Sequence, residues 1–458
     1  MLKKIFRVSA HQTARLYFNV THSIAFYPTL IAVGLFFLSL CTLYLDERSP
    51  GLLLGYEISI KNIIYPDSAR TLLGAIAGGM ISLTVFSFSM VMVILSQTSS
   101  NYSPRLLPNL VGQRSKQVVM GFFIGTIAYT FVILTSIDSK FYAFGVPSLS
   151  IIITCLLSLL CLGLFVTFIN EVSQDIQIGN IINHVYRDTL RSLRHEIEQE
   201  TYVPAHTLPD TTHWTAVHSS LSGGYLNEIS QRALLRATRQ YDVVLKMVVP
   251  LGQFINRRDR LFLASRPLKE EEQKEIIDTF VFRHQEEISQ QYGYGFKHLT
   301  EVALKALSPG INDPGTAIQA IDRLTDLLVE CLALRGHRIL TDKDNELRFV
   351  YEPVHYDKIL YFSVNAISEY GKADLTVMLK LLVLLQTILQ NDTDREHTDT
   401  VMTLLNDLIE EFAQNFRNKS DRKILVKQAE AVLDKRPGLS QAPLIRNQLS
   451  TLLSSNTV

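Results

Sequence analysis

The stretch "SPGINDPGTA", residues 308–317, sets Ser308, Asn312, Asp313 and Thr316 close together. A carboxylate beside hydroxyls and an amide can act as a general base on an alcohol or on water. No histidine stands next to it in sequence to activate a nucleophile. The same residues also spell a helix stop and restart. Pro309 cannot continue a helix, and Gly310 can take the left-handed cap conformation. Asn312 can brace the turn through its own backbone. Asp313 is a good N-cap, able to accept from the N–H of Gly315 or Thr316, with Pro314 at the first helical position. An anion at this helix start is opposed by Asp313 itself. The hinge is therefore read as structural, no catalytic residue is assigned, and an enzyme ranks below a non-enzymatic membrane protein.

His206, His213 and His218 are near one another and invite a metal. Their spacings match no helical or strand face and no carboxylate stands with them, so no metal site is expected. Cys41, Cys155, Cys161 and Cys331 contain no C-x-x-C pair, and three of them fall in apolar stretches. They are read as reduced packing residues, and no cofactor is expected. A different chemistry is offered by Ser82, Ser89 and Ser96, which are seven apart and so share a helical face. Such a stripe can line a hydrated path. It can equally pack on a neighbouring helix, each hydroxyl bonding back to its own carbonyls, and that is the simpler reading.

The elements that carry these residues are built for lipid. Hydrophobic residues make up 47% and charged residues 19% of the 458. Lysine plus arginine and aspartate plus glutamate balance at 44 each, so no basic field points to nucleic acid. Four segments are long and apolar enough to span a bilayer: residues 26–45, 72–95, 118–136 and 146–169. Pro28 sits in the opening turn of the first, where its missing N–H costs little. Gly74 and Gly78 in the second span, and Gly121 and Gly125 in the third, are four apart, the spacing that lets helix backbones approach closely. Packing within one subunit is the simpler reading of both pairs; an interface between subunits is the other. No span centre holds an ionisable residue, which disfavours proton- or ion-coupled transport.

Basic residues without acids (Lys3, Lys4, Arg7 and Arg15, then Arg105, Arg114 and Lys116) flank the first span and join the second to the third. The other two loops lack such an excess. Both termini are therefore expected on the cytoplasmic side of the membrane, with a short segment, 1–25, ahead of a membrane domain over 26–170. The fourth span is read as running on into a helical extension, 171–200. There Arg187, Arg191 and Arg194 form a basic stripe for anionic lipid or simply a solvated face.

A proline-broken connector then leads to a small α+β module, 201–266, and a helical cytoplasmic domain, 267–436, ahead of a polar tail, 437–458. "LKEEEQKEIIDTFVFRHQEEISQ" reads as a charged amphipathic helix. "LKLLVLLQTIL", interrupted by Lys380 and Gln386, reads as a buried bundle helix and not a fifth span. The fold class is thus a mainly α membrane protein: four transmembrane helices, then a cytoplasmic domain with a small α+β module and a C-terminal helical bundle.

"ALSPGINDPGTAIQAIDRL" resembles the signature of the bacterial predicted membrane proteins known as domain of unknown function 2254. "SSNYSPRLL", with Ser103, Pro104 and Arg105, and "INEVSQDIQIGNII" after the fourth span are similar to the same family, in the same order along the chain. Gly315 departs from the pattern, standing where a bulky aromatic is usual, and "HQEEISQQYGYG" is a loose version of the family's acidic segment. The resemblance implies four spans with a cytoplasmic domain and carries no activity or catalytic residue. Two expectations follow for function: an oligomeric, pore-like protein gated by its cytoplasmic domain, or a scaffold or sensor that binds a cytoplasmic partner. A homo-oligomer in a lipid bilayer is expected.

Overall fold

The computed structural model describes residues 25–48, 65–101, 114–137, 146–175, 177–198, 202–203, 208–219, 223–283, 291–334, 336–351, 355–436 and 441–454. The chain divides into two compact units at Gln177/Ile178.

The first unit holds four helices long and apolar enough to cross a membrane: α1 (Phe26–Arg48), α2 (Pro66–Asn101), α3 (Arg114–Ser136) and α4 (Ser148–Asp175). Each begins within a few residues of the apolar run that predicts it, and α2 outruns its span at both ends. Helix α3 is the hub, packing on α1, α2 and α4. Two clusters fill the interior, one around Leu73, Tyr129, Ile133 and Ile151, the other around Met80, Phe123, Cys161 and Phe168. Polar groups tie one end of the unit together. The hydroxyls of Thr42 and Tyr129 bond at 2.7 Å. The carboxylate of Asp46, in the last turn of α1, accepts from the Leu149 and Ser150 N–H groups at 2.9 and 3.0 Å and from the Ser150 hydroxyl at 2.6 Å. The free N–H groups that open α4 are thus capped by another helix, an arrangement favoured by the positive end of the helix dipole.

The second unit begins with α5 (Ile178–Glu198). The single helix expected across 171–200 is broken: α4 ends at Asp175 and α5 restarts at Ile178, beside Gly179, whose low helix propensity weakens continuation. The rest of the α+β part comprises β1 (Tyr202–Val203), β2 (Thr215–His218), β3 (Gly224–Ile229), α6 (Gln231–Gln240), β4 (Leu245–Met247), β5 (Phe254–Ile255), β6 (Arg260–Ala264), α7 (Glu270–Ile277) and β7 (Phe280–Arg283). The long amphipathic helix expected after residue 267 is therefore a helix and a strand. Three glutamates fill the first turn of α7, where the dipole favours them, but the β-prone run Phe280-Val281-Phe282 leaves the helix and pairs with β3.

Two more strands arrive from further along: β8 (His337–Thr341) and β9 (Leu347–Tyr351). One sheet has the order β1-β8-β9-β4-β6-β2, with β4 and β9 parallel; a smaller one runs β5-β3-β7. Leu226, Leu245, Phe262, Phe280 and Phe349 form the core that these strands share with α6 and α7, Phe262 and Phe280 stacking with ring centroids 5.7 Å apart.

The helical part is α8 (Gly293–Ala306), α9 (Pro314–Cys331), α10 (Tyr356–Gly371), α11 (Leu375–Asn391), α12 (Thr398–Asn415), α13 (Lys419–Asp434) and α14 (Ala442–Ser454). Helix α11 lies at its centre, with Leu381, Leu382, Leu385 and Ile388 fully enclosed, so its apolar run is spent on the bundle core. Helix α5 docks against α8 and α9 through Ile181, Ile182, Val185 and Leu193. At its middle the approach is very close: a Cβ on Gly295 of α8 would fall 2.6 Å from Thr189 Cβ. Further along, Glu196 accepts from the buried Arg338 at 2.7 Å and from the Tyr351 hydroxyl at 2.9 Å, fastening α5 to the sheet.

Candidate functional site

In the hinge the carboxylate is fully committed. Asp313 accepts from the Thr316 N–H at 3.1 Å and from the Thr316 hydroxyl at 2.6 Å. These bonds, the hydroxyl's first, hold its carboxyl below the ordinary carboxylate range, so it is an ionised cap and a poor base. Pro314 occupies the first turn as expected. The Ser308 hydroxyl donates to the Lys305 carbonyl at 2.6 Å, and the N–H groups of Ile311 and Asn312 return to Ser308. One detail differs from expectation. The left-handed residue is Asn312, with φ +49°, and Gly310 is not in that region. The turn therefore uses asparagine, whose short amide tolerates αL, and Pro309 and Gly310 simply end α8.

Downstream of this hinge, the middle of α9 packs against the first turns of α5. Between them lies a cleft of about 360 Å³ lined by Gly179, Ile182 and Asn183 from α5 and by Gln319, Asp322, Arg323 and Asp326 from α9. At Gly179 a Cβ would lie 3.6 Å from the Gln319 side-chain oxygen, an ordinary contact that the two helices could accommodate. Arg323 spans the gap. Its Nε donates to the Asn183 side-chain oxygen at 3.1 Å, its guanidinium lies 4.9 Å from the centre of the Tyr186 ring, and Asp326 stands 3.6 Å away. Asp322 is paired with Lys380 of α11. The two motif segments are thus brought together in space. Gly179 and Ile182 of the segment after the fourth span stand in one wall and Gln319, Asp322 and Arg323 of "AIQAIDRL" in the other, and no spacing in the sequence announces that they meet.

The remaining predicted positions fall out as follows. Ser82, Ser89 and Ser96 lie on the exposed face of α2, with Gly74 and Gly78 on the same side. Among the described residues nothing comes within 4 Å of a Cβ built on either glycine. Ser82 donates to the Gly78 carbonyl at 3.0 Å, the back-bond foreseen for it. On α3 the opposite holds: a Cβ on Gly121 would lie 3.1 Å from Pro28 Cα, and one on Gly125 3.2 Å from Ala32 Cα. Of the arginine stripe, Arg187 is exposed, Arg191 faces Asp188 at 3.6 Å, and Arg194 bonds Glu330 of α9 at 2.8 Å. His213 and His218 are exposed, and the described residues contain no cluster of metal-ligating side chains. Burial pushes the Cys331 thiol up to about 12, which makes it an inert packing group. Ser103, Pro104, Arg105, His206 and the basic residues before the first span lie outside the described residues.

The profile of the predicted membrane protein family DUF2254 (domain of unknown function 2254) matches residues 21–387. The chain belongs to that family. The DUF2254 match takes in all four spans, the hinge and both walls of the cleft, and ends within α11. The chain is similar to the uncharacterized proteins Rv1290c of Mycobacterium tuberculosis and Mb1321c of Mycobacterium bovis. Each is 25% identical over 398 residues, covering 82% of this chain and 75% of the relative. MT1328, also of Mycobacterium tuberculosis, is 24% identical over the same share. No solved structure matches the chain.

Proposed function

We propose that this DUF2254 protein works as an oligomeric, pore-like protein of the bacterial plasma membrane, with its second unit on the cytoplasmic side and controlling the path. The observation that carries the reading is the open face of α2. Glycines and hydroxyls (Gly74, Gly78, Ser82, Ser89 and Ser96) run along one side of a membrane helix with no neighbour over the glycines among the described residues. Small residues invite another helix, and hydroxyls are better matched to water or to a polar partner than to lipid. Copies arranged with α2 inward satisfy both demands. Arg187, the least engaged of the arginine stripe, is the member best placed to meet anionic headgroups.

The purified full chain in liposomes tests this directly. Ion or solute flux, lowered by Ser89→Phe, is the expected result. A monomer in detergent with no flux under tension or voltage would sink it. The second reading, a scaffold or sensor for a cytoplasmic partner, is favoured by one feature. Tyr361, Phe362 and Tyr370 of α10 are exposed, Phe362 to 66%. Its test is specific capture of a cellular protein by the full chain that is lost on Phe362→Ser.

A further inference from the structure

The cleft between α5 and α9 carries chemistry that the pore reading does not use. We infer that it is a binding site for a small zwitterion of amino-acid size, one that carries an ammonium and a carboxylate on the same molecule. Its volume, about 360 Å³, is at the small end of ligand sites, and Ile182 is the one large apolar side chain among the described residues of its lining. Lipids and apolar ligands therefore find no wall to bury against.

Charge narrows the class further. The lining holds two carboxylates, Asp322 and Asp326, and one guanidinium, Arg323, and the Lys380 ammonium balances Asp322. A pure anion meets the carboxylates, and a pure cation meets Arg323 and Lys380; a molecule with both signs meets a partner at each end. The resident pair is also easy to open. Arg323 and Asp326 are 3.6 Å apart, and their side chains are 39% and 57% exposed. Such a pair holds little free energy. A ligand can take its place, its ammonium on Asp326 and its carboxylate on the outer nitrogens of Arg323. Arg323 stays aimed during the exchange, because Asn183 holds its Nε and Tyr186 backs its face. Asn183 and Gln319 supply amide groups for the remainder of the ligand.

The site lies wholly within the second unit, so its occupancy does not depend on whether the membrane unit conducts. Thermal-shift and titration-calorimetry measurements on the full chain in detergent, with free amino acids added singly, test it. Glucose, putrescine and inorganic phosphate serve as neutral, cationic and anionic controls. At least one amino acid is expected to raise the melting temperature where the controls do not. Asp326→Asn and Arg323→Gln should each weaken that binding by about tenfold or more, while Arg191→Gln leaves it unchanged. Asp326 is exposed and forms no part of the core, so its variant reports on the site even where Arg323→Gln loosens α5. No response to any amino acid, an equal response to a control, or binding indifferent to Asp326→Asn each overturns the assignment.

Discussion

Two neighbouring membrane helices carry the same motif and put it to opposite uses. "GFFIG" on α3 is filled: α1 lies across it, with backbone atoms of Pro28 and Ala32 where side chains on Gly121 and Gly125 would go. "GAIAG" on α2 is open, its glycines facing nothing among the described residues. Glycines four apart specify a groove on a helix and leave the occupant unspecified. What separates the two cases is the long-range pairing of helices. α3 is enclosed by three others, whereas α2 keeps one face to itself.

The contrast can be broken most forcefully by filling both grooves. Gly125→Leu should lower the melting temperature of the full chain in detergent sharply. Its side chain would meet Ala32 and Leu35, an overpacking cost of about 1–3 kcal/mol or more. Gly78→Leu should leave the melt within about 0.5 kcal/mol of wild type, as surface changes do, while shifting the oligomer toward smaller species on size-exclusion chromatography with light scattering. Equal loss of stability in the two variants would erase the distinction.

A second filled groove sharpens it outside the membrane. Gly295→Ala should destabilise the second unit by about 1–3 kcal/mol, read as the lower of two transitions or as accelerated hydrogen exchange in α5, because Thr189 already occupies the space. Smaller still is the effect at the hinge, where the filled position is a cap. Asp313→Ala should cost about 1 kcal/mol and Asp313→Asn a few tenths, since asparagine keeps an acceptor for the Thr316 N–H. The smallest effect is in pH. The Asp313 carboxyl is depressed below its ordinary value of 3.8 when folded. Its contribution is therefore present above that value and is lost as pH falls through the depressed one. Asp313→Asn should remove this acid-side loss from a stability profile of the full chain and leave neutral pH nearly untouched.

Local features of this fold are legible in the sequence, and non-local ones are not. The four spans follow from composition alone, because a run of apolar residues long enough to cross lipid has few other uses. The Asp313 cap and the Pro314 start follow from residue chemistry within a single turn. The left-handed position lies two residues beyond the expected Gly310, since glycine and asparagine both tolerate it and only the hydrogen bonds to Ser308 choose Asn312. The sequence pattern ends the α+β module near Arg266, whereas β8 and β9 join its sheet from beyond α9, with β9 pairing beside β4. The cleft is the clearest case. Both of its walls stood out as motifs, but their meeting depends on α5 docking on α9, which no spacing encodes.

The carboxylate of Asp46 closes the first helix onto the fourth, and this has a consequence for biogenesis. During synthesis α1 is complete long before Leu149 and Ser150 exist, so Asp46 must wait in water while two further spans are inserted. Only when α4 enters do its opening N–H groups meet that carboxylate. The bond joins the earliest membrane helix to the latest. It acts as a clasp that can shut only on a chain whose four spans are all in place.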